Sequence, residues 1–273
     1  MTTITTDAFW LSSHLDDPNI VLIDARGIMP HRFSHIKNAS PLGLESVISI
    51  ADNGANLVID ATTAEKVFSS LGIDDSKTVI VYGESVDPSS ARIVWTLMYY
   101  GHTNVKLLDI GFSEWQKAGF PVTRERQEKR VESVNANSSS SGAGRPTPIF
   151  KAKINPAIRA SADYIKTIQA DPNVVIIDAR TPQEHFAARI PGSILDDWEE
   201  GIGQEGRMIR SKSELETHFR EKGVTKDKEV ICYCHVGIRA AHKYLQFTQA
   251  DYDRVKLYDG SIVDWAQRRN PLK

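Results

Sequence analysis

Apolar residues recur along this chain in two alternating patterns. Near-continuous runs such as "VVIIDA", "EVICYC" and "VKLYDG" read as strands covered on both faces. Between them, "SADYIKTIQA", "KSELETHFREKG" and "RAAHKYLQFTQA" carry apolar residues at helical spacing. Ser211 or Ser213 is the expected N-cap of the middle helix, and Gly223 its stop. Strands alternating with helices predict an α/β fold built on a mainly parallel sheet flanked by helices. Ligands of such sheets bind outside the carboxyl ends of the strands.

The pattern is written twice. "IVLIDAR" ending at Arg26 returns as "VVIIDAR" ending at Arg180, so that Asp24 and Asp178 stand 154 residues apart, as do Ile36 and Ile190. Phe68, Gly72, Lys77 and Tyr82 then match Phe219, Gly223, Lys228 and Tyr233 at an offset of 151. Val105 and Trp115 match Val255 and Trp265 at an offset of 150. Offsets that drift so little describe one duplication with small loop differences. Between the copies, residues 124–148 ("RERQEKRVESVNANSSSSGAGRPTP") are charged and then rich in Asn, Ser and Gly, the composition of a flexible linker. The expected domains are 1–123 and 149–273.

Composition narrows the function. Apolar residues are 41% and charged residues 25% of the 273, as in ordinary globular proteins. A net charge of −2 offers no basic field for nucleic acid or an anionic membrane. Apolar runs stop at strand length, and the first residues lack a basic and then apolar leader, so a cytoplasmic protein is expected.

Two cysteines, Cys232 and Cys234, sit two apart on one strand, a spacing that suits neither a mutual disulfide nor a metal site. Cys232 lies mid-strand and reads as packing. Cys234 ends the strand, and "CHVGIRA" leads from it into a helix. A tight loop at a helix N-terminus aims backbone N–H groups inward, which favours a thiolate and an anionic ligand there. Gly237 lets the turn close, and Arg239 adds a charge at its rim. Asp24 and Asp178, repeated in both halves, read as structural partners of Arg26 and Arg180; Arg180, at the same sheet edge as Cys234, adds a minor candidate for anion binding. His35 and Arg189 read as structural, Trp115 and Trp265 as core anchors, and His242 as packed or solvated.

The duplicated "IDAR" strands, "YCHVGIRA" and the late "DG…W" together resemble the tandem-domain rhodaneses, the thiosulfate sulfurtransferases. The resemblance implies two duplicated rhodanese-like domains, of which the second is active through a six-residue loop, Cys234 to Arg239. The counterpart of Cys234 is Gly83, and the first copy holds no cysteine at all. It further implies ping-pong transfer: Cys234 takes the outer sulfur of thiosulfate as a persulfide and passes it to cyanide or a thiol, without metal or organic cofactor. His235, Val236, Gly237, Ile238 and Arg239 would hold the anionic donor and the persulfide. The His-Val-Gly-Ile-Arg loop differs from the Gly-Ser-Gly-Val-Thr of mercaptopyruvate-specific members, which favours thiosulfate over 3-mercaptopyruvate. Two rivals remain: a sulfur relay to another protein's thiol, and a cysteine phosphatase. The latter uses Cys-x5-Arg, whereas here Arg239 makes Cys-x4-Arg and residue 240 is Ala.

Overall fold

A computed structural model of the chain describes residues 3–125 and 150–273. The expected linker, 124–148, lies almost wholly outside the described residues. In the first half five parallel strands lie in the spatial order Thr5–Thr6, Val105–Leu108, Thr78–Tyr82, Ile20–Asp24 and Ala39–Pro41. In the second, four parallel strands follow the order Ile194–Leu195, Val174–Asp178, Glu229–Tyr233 and Val255–Leu257. A single parallel bridge from Arg159 to Leu257 stands where the first sheet has its edge strand. The strand Glu229–Tyr233 is buried at every position, which is why its sequence shows no alternation.

Local chemistry sets the helix ends. Ser211, rather than Ser213, caps Lys212–Glu221. Its side chain accepts the Glu214 N–H, and its own N–H donates to the Glu214 carboxylate at 2.9 Å. Gly223, at φ 75°, ends the turn beyond that helix. Thr181 and Glu184 form the same reciprocal cap at the start of Pro182–Ala187.

Each sheet has an outer core of its own. Ile80, Tyr82, Phe112 and Trp115 lie in one, and Ile231, Tyr233, Ile262 and Trp265 in the other. The two tryptophans anchor their terminal helices as expected: Trp115 Nε1 donates to the Pro121 carbonyl at 3.0 Å, and Trp265 Nε1 to that of Pro271 at 2.8 Å. The inner faces do not close separately. One continuous cluster runs from Val81, Ile93 and Trp95 to Cys232, Leu245 and Phe247, because helix Ser89–Tyr99 of the first half packs on helix Ile238–Gln249 of the second. His242 lies packed in this seam, with Nε2 3.0 Å from the Met208 carbonyl. Phe150 sets its edge against Phe68, and Asn155 N–H donates to the Tyr99 carbonyl at 2.8 Å, which straps the second half onto the first. Among the described residues no helix is long and apolar enough to cross a membrane.

Candidate active site

Cys234 follows the last residue of the central strand and is 1% exposed. Its backbone is held from behind: its N–H donates to Ser261 Oγ at 3.0 Å, and its carbonyl accepts the Ile262 N–H at 3.1 Å. The Ser261 hydroxyl also lies 3.9 Å from Sγ. From the front, the Gly237 N–H donates to Sγ at 3.1 Å. Among the described residues this is the loop amide that donates to the sulfur.

Gly237 can do so because it adopts φ 81°, a left-handed conformation that side chains disfavour by roughly 1–2 kcal/mol. It also has no room for one, since a Cβ there would lie 2.3 Å from the Asp259 carbonyl oxygen and 2.7 Å from Arg92 Nη1. The twelve-residue helix Ile238–Gln249 starts immediately after it, so its amino end points at the same spot. His235 is exposed at the rim, while Val236 and Ile238 are half-buried.

The charged candidates divide. Arg239 lies on the first turn of the helix, where both terminal nitrogens bind Glu184, Nη1 to Oε2 and Nη2 to Oε1, each at 2.7 Å. That bidentate pair holds Glu184 down at about 2, with the Arg239 hydrogen bonds as the main cause. It also raises Arg239 further, with Glu184 the larger cause and Cys234 a smaller one. Arg239 therefore meets the loop as half of a neutral pair.

The structure commits Arg180 elsewhere. Its Nε and Nη2 bind the Asp178 carboxylate at 2.8 and 2.7 Å, and Nη2 also donates to the Ala188 carbonyl at 2.7 Å. The fully buried Asp178 also accepts the Tyr233 hydroxyl at 2.7 Å and lies 2.9 Å from His185 Nδ1. The first half repeats this network, with Arg26, His31 and the Ser34 carbonyl around Asp24. Burial first, and then these carboxylates, raise Tyr82 and Tyr233 well above the ordinary phenol range, so both stay protonated. The arrangement ties the strand end to the chain that follows it in both halves. The equivalent residues beyond it, His35 and Arg189, contact the preceding turn through the carbonyls of His31 and His185.

Sequence reasoning passed over three residues at this site: Arg92, Asp259 and Ser261. Arg92 comes from the first half, is fully buried, and donates from Nη1 to the Gly237 carbonyl at 3.0 Å. Its signal was a lone charge inside the apolar run "ARIVWTL". Asp259 sits 3.8 Å from Arg92 Nη2 and accepts Arg159 Nε at 2.9 Å. Elsewhere, Asp196, Glu200 and His218 bring ligand atoms within 4.8 Å of one another. Lys243 lies 3.1 Å from Asp196 and Lys222 3.0 Å from Glu200, which makes the cluster an ion-pair network.

Comparison with known proteins matches residues 7–118 and again 161–268 to the model of the rhodanese-like domain. A Mycolicibacterium smegmatis protein assigned as a thiosulfate sulfurtransferase is 27% identical, across 94% of this chain and 92% of its own length. A 3-mercaptopyruvate sulfurtransferase of Escherichia coli K12 is 28% identical, across 96% and 94%. A sulfur carrier protein of Thermus thermophilus is 26% identical, across 94% and 91%. The crystal structure of a 3-mercaptopyruvate sulfotransferase from Escherichia coli superposes with a TM-score of 0.78 at 27% identity, over 95% of this chain and 99% of that one. An ergothioneine complex of EanB reaches a TM-score of 0.82 at 18% identity, over 99% of this chain and 70% of that one, and shares the fold.

Proposed function

Because this chain belongs to the rhodanese-like family, we propose that it is a sulfurtransferase that carries sulfane sulfur on Cys234 and takes it from thiosulfate. The observation that carries the reading is the setting of Sγ, at the carboxyl end of the central strand, with the Gly237 N–H on it at 3.1 Å and a helix opening beside it. Such a site receives an anionic sulfur at the loop centre and has no use in a purely packed cysteine.

The Cys234 thiolate attacks the outer sulfur of thiosulfate. The bond between the two sulfurs breaks, sulfite leaves with its electron pair, and an anionic persulfide remains on Cys234. A second nucleophile, cyanide in an assay or a thiol, then attacks the terminal sulfur and releases the thiolate. Each half-reaction conserves charge and is redox-neutral overall, so neither step calls for a metal or an organic cofactor. The loop from His235 to Arg239 would hold the persulfide through its amides, beginning with that of Gly237 on Sγ.

The loop sequence, His-Val-Gly-Ile-Arg rather than Gly-Ser-Gly-Val-Thr, favours thiosulfate over 3-mercaptopyruvate. A second reading concerns the acceptor. The likeness to a sulfur carrier protein over 94% of the chain supports delivery to another protein's thiol.

Intact mass under non-reducing conditions tests the proposal, with thiosulfate and 3-mercaptopyruvate offered separately and Cys234→Ser alongside. Thiosulfate should add one sulfur atom that cyanide removes and that the variant never acquires. A gain from 3-mercaptopyruvate alone would reverse the donor assignment. No gain from either would sink the small-molecule reading.

A further inference from the structure

Helix Ser89–Tyr99 belongs to the half without a thiol, yet its one charged side chain ends beneath the catalytic loop. The Arg92 guanidinium is fully buried. Nη1 reaches the Gly237 carbonyl, and Cζ lies 5.1 Å from the Trp95 ring centre. Nε and Nη2 have no hydrogen-bond partner among the described residues.

Burying a guanidinium costs several kcal/mol unless an anion meets it. The nearest carboxylate, Asp259, is shared. Its Oδ1 accepts Arg159 Nε at 2.9 Å, its Oδ2 accepts the Val58 N–H at 2.8 Å, and Arg92 stands off at 3.8 Å. Two guanidinium groups on one carboxylate leave a positive charge over. Of the other charged groups around the loop, Arg239 is neutralised by its bidentate pair with Glu184 although Cys234 also acts on it, Asp197 acts on Arg239, and His235 stands exposed at the rim.

We infer that the anionic sulfur of Cys234 is the missing partner, and that Arg92 is a positioning residue which pins Gly237 with its N–H on Sγ and supplies the countercharge for thiolate and persulfide alike. The persulfide part rests on the sulfurtransferase reading, and the thiolate part does not. Burial lowers Arg92, while Asp259 and then Cys234 oppose that shift, as expected for a buried cation facing both. The half that lost its thiol is thereby a working part of the other half's site.

The rate at which iodoacetamide labels Cys234 at fixed neutral pH, read by peptide mass, tests this without any sulfur donor. Cys232, fully buried and raised by burial, is the unreactive control. Arg92→Met should label about tenfold more slowly than wild type, and Arg92→Lys within about threefold of it. Melting temperature should change little in Arg92→Met, because a largely uncompensated charge is removed. Equal labelling of wild type and a folded Arg92→Met overturns the inference. If Arg92→Met does not fold, Arg92→Lys decides, and a tenfold loss in that folded variant overturns it equally. A wild type that takes no sulfur from either donor, but whose labelling still depends on Arg92, refutes the small-molecule sulfurtransferase reading and leaves the countercharge standing.

Discussion

Loops 83–88 and 234–237 leave equivalent strands and enter equivalent helices, yet only the second carries a thiol. In the first, Gly83 stands in the cysteine's place and the half-buried Glu84 follows it. The Glu84 carboxylate accepts the Ser113 N–H at 3.2 Å, at the amino end of helix Phe112–Lys117, and sits 3.9 Å from Arg26 Nη1. A negative charge of the chain's own thus stands beside that loop. In the second, the equivalent residue is His235, whose ring is exposed and whose carbonyl takes the corresponding Val263 N–H at 3.3 Å.

The two central helices differ in the same sense. Position 92 carries a buried cation, whereas the position 150 residues on carries His242, lowered to about 3 by burial and therefore neutral. The Asp, Arg, His and Tyr network is common to both halves, so it belongs to the scaffold. The thiol, the left-handed glycine and the buried arginine are not shared, and the proposed chemistry rests on them.

The sharpest way to break this division is to give the first half a thiol. In a Cys234→Ser background, Gly83→Cys should take up no sulfur from thiosulfate by intact mass. A Cβ at position 83 would lie 3.3 Å from the Ser90 Cβ, and the neighbouring Glu84 carboxylate repels an anion. Sulfur found at position 83 would show that the fold alone suffices.

Next in size is the shared network. Asp24→Asn and Asp178→Asn should each cost roughly 3 kcal/mol in urea unfolding, because each leaves a buried guanidinium without its carboxylate. Comparable losses from the two halves would sharpen the comparison. A folded, equally stable Asp178→Asn protein that no longer forms the persulfide would move Asp178 into the chemistry.

The smallest effect concerns Glu184, which has no equivalent in the first half's loop. Its folded value, about 2 against an ordinary 4.5, is depressed. Its contribution is therefore fully present above pH 4.5 and disappears as pH falls towards 2. With a third of the side chain exposed, the amount stays below about 1 kcal/mol. Stability measured from pH 6 to pH 3 should fall slightly less steeply in Glu184→Gln than in wild type. Identical slopes would mean that the bidentate pair with Arg239 contributes nothing to folding.

The duplication made much of this legible in advance. Aligning Asp24 with Asp178 exposed both carboxylates as scaffold, and aligning Gly83 with Cys234 singled out one thiol. The mainly parallel sheets and the helices that flank them followed from the alternating pattern because local periodicity reports burial directly. The contacts of the charged groups did not follow. Arg92 and Gly237 are 145 residues apart, and Glu184 and Arg239 are 55 apart, so no local pattern links them. Nor could the sequence tell that Arg239 would be occupied, since its direction depends on where helix Pro182–Ala187 lies. Ser261 holds Cys234 from a backbone position with φ 54°, which a serine gives no reason to expect.

The shared inner core also bears on synthesis. Helix Ser89–Tyr99 is complete about 150 residues before its partner Ile238–Gln249 ends, an interval of roughly 8–30 s at ordinary rates of translation. Throughout that interval Ile93, Val94 and Leu97, which end in the common core, lack the surface that will cover them. Arg92 interrupts this apolar stripe with a charge that water solvates freely until the second half arrives.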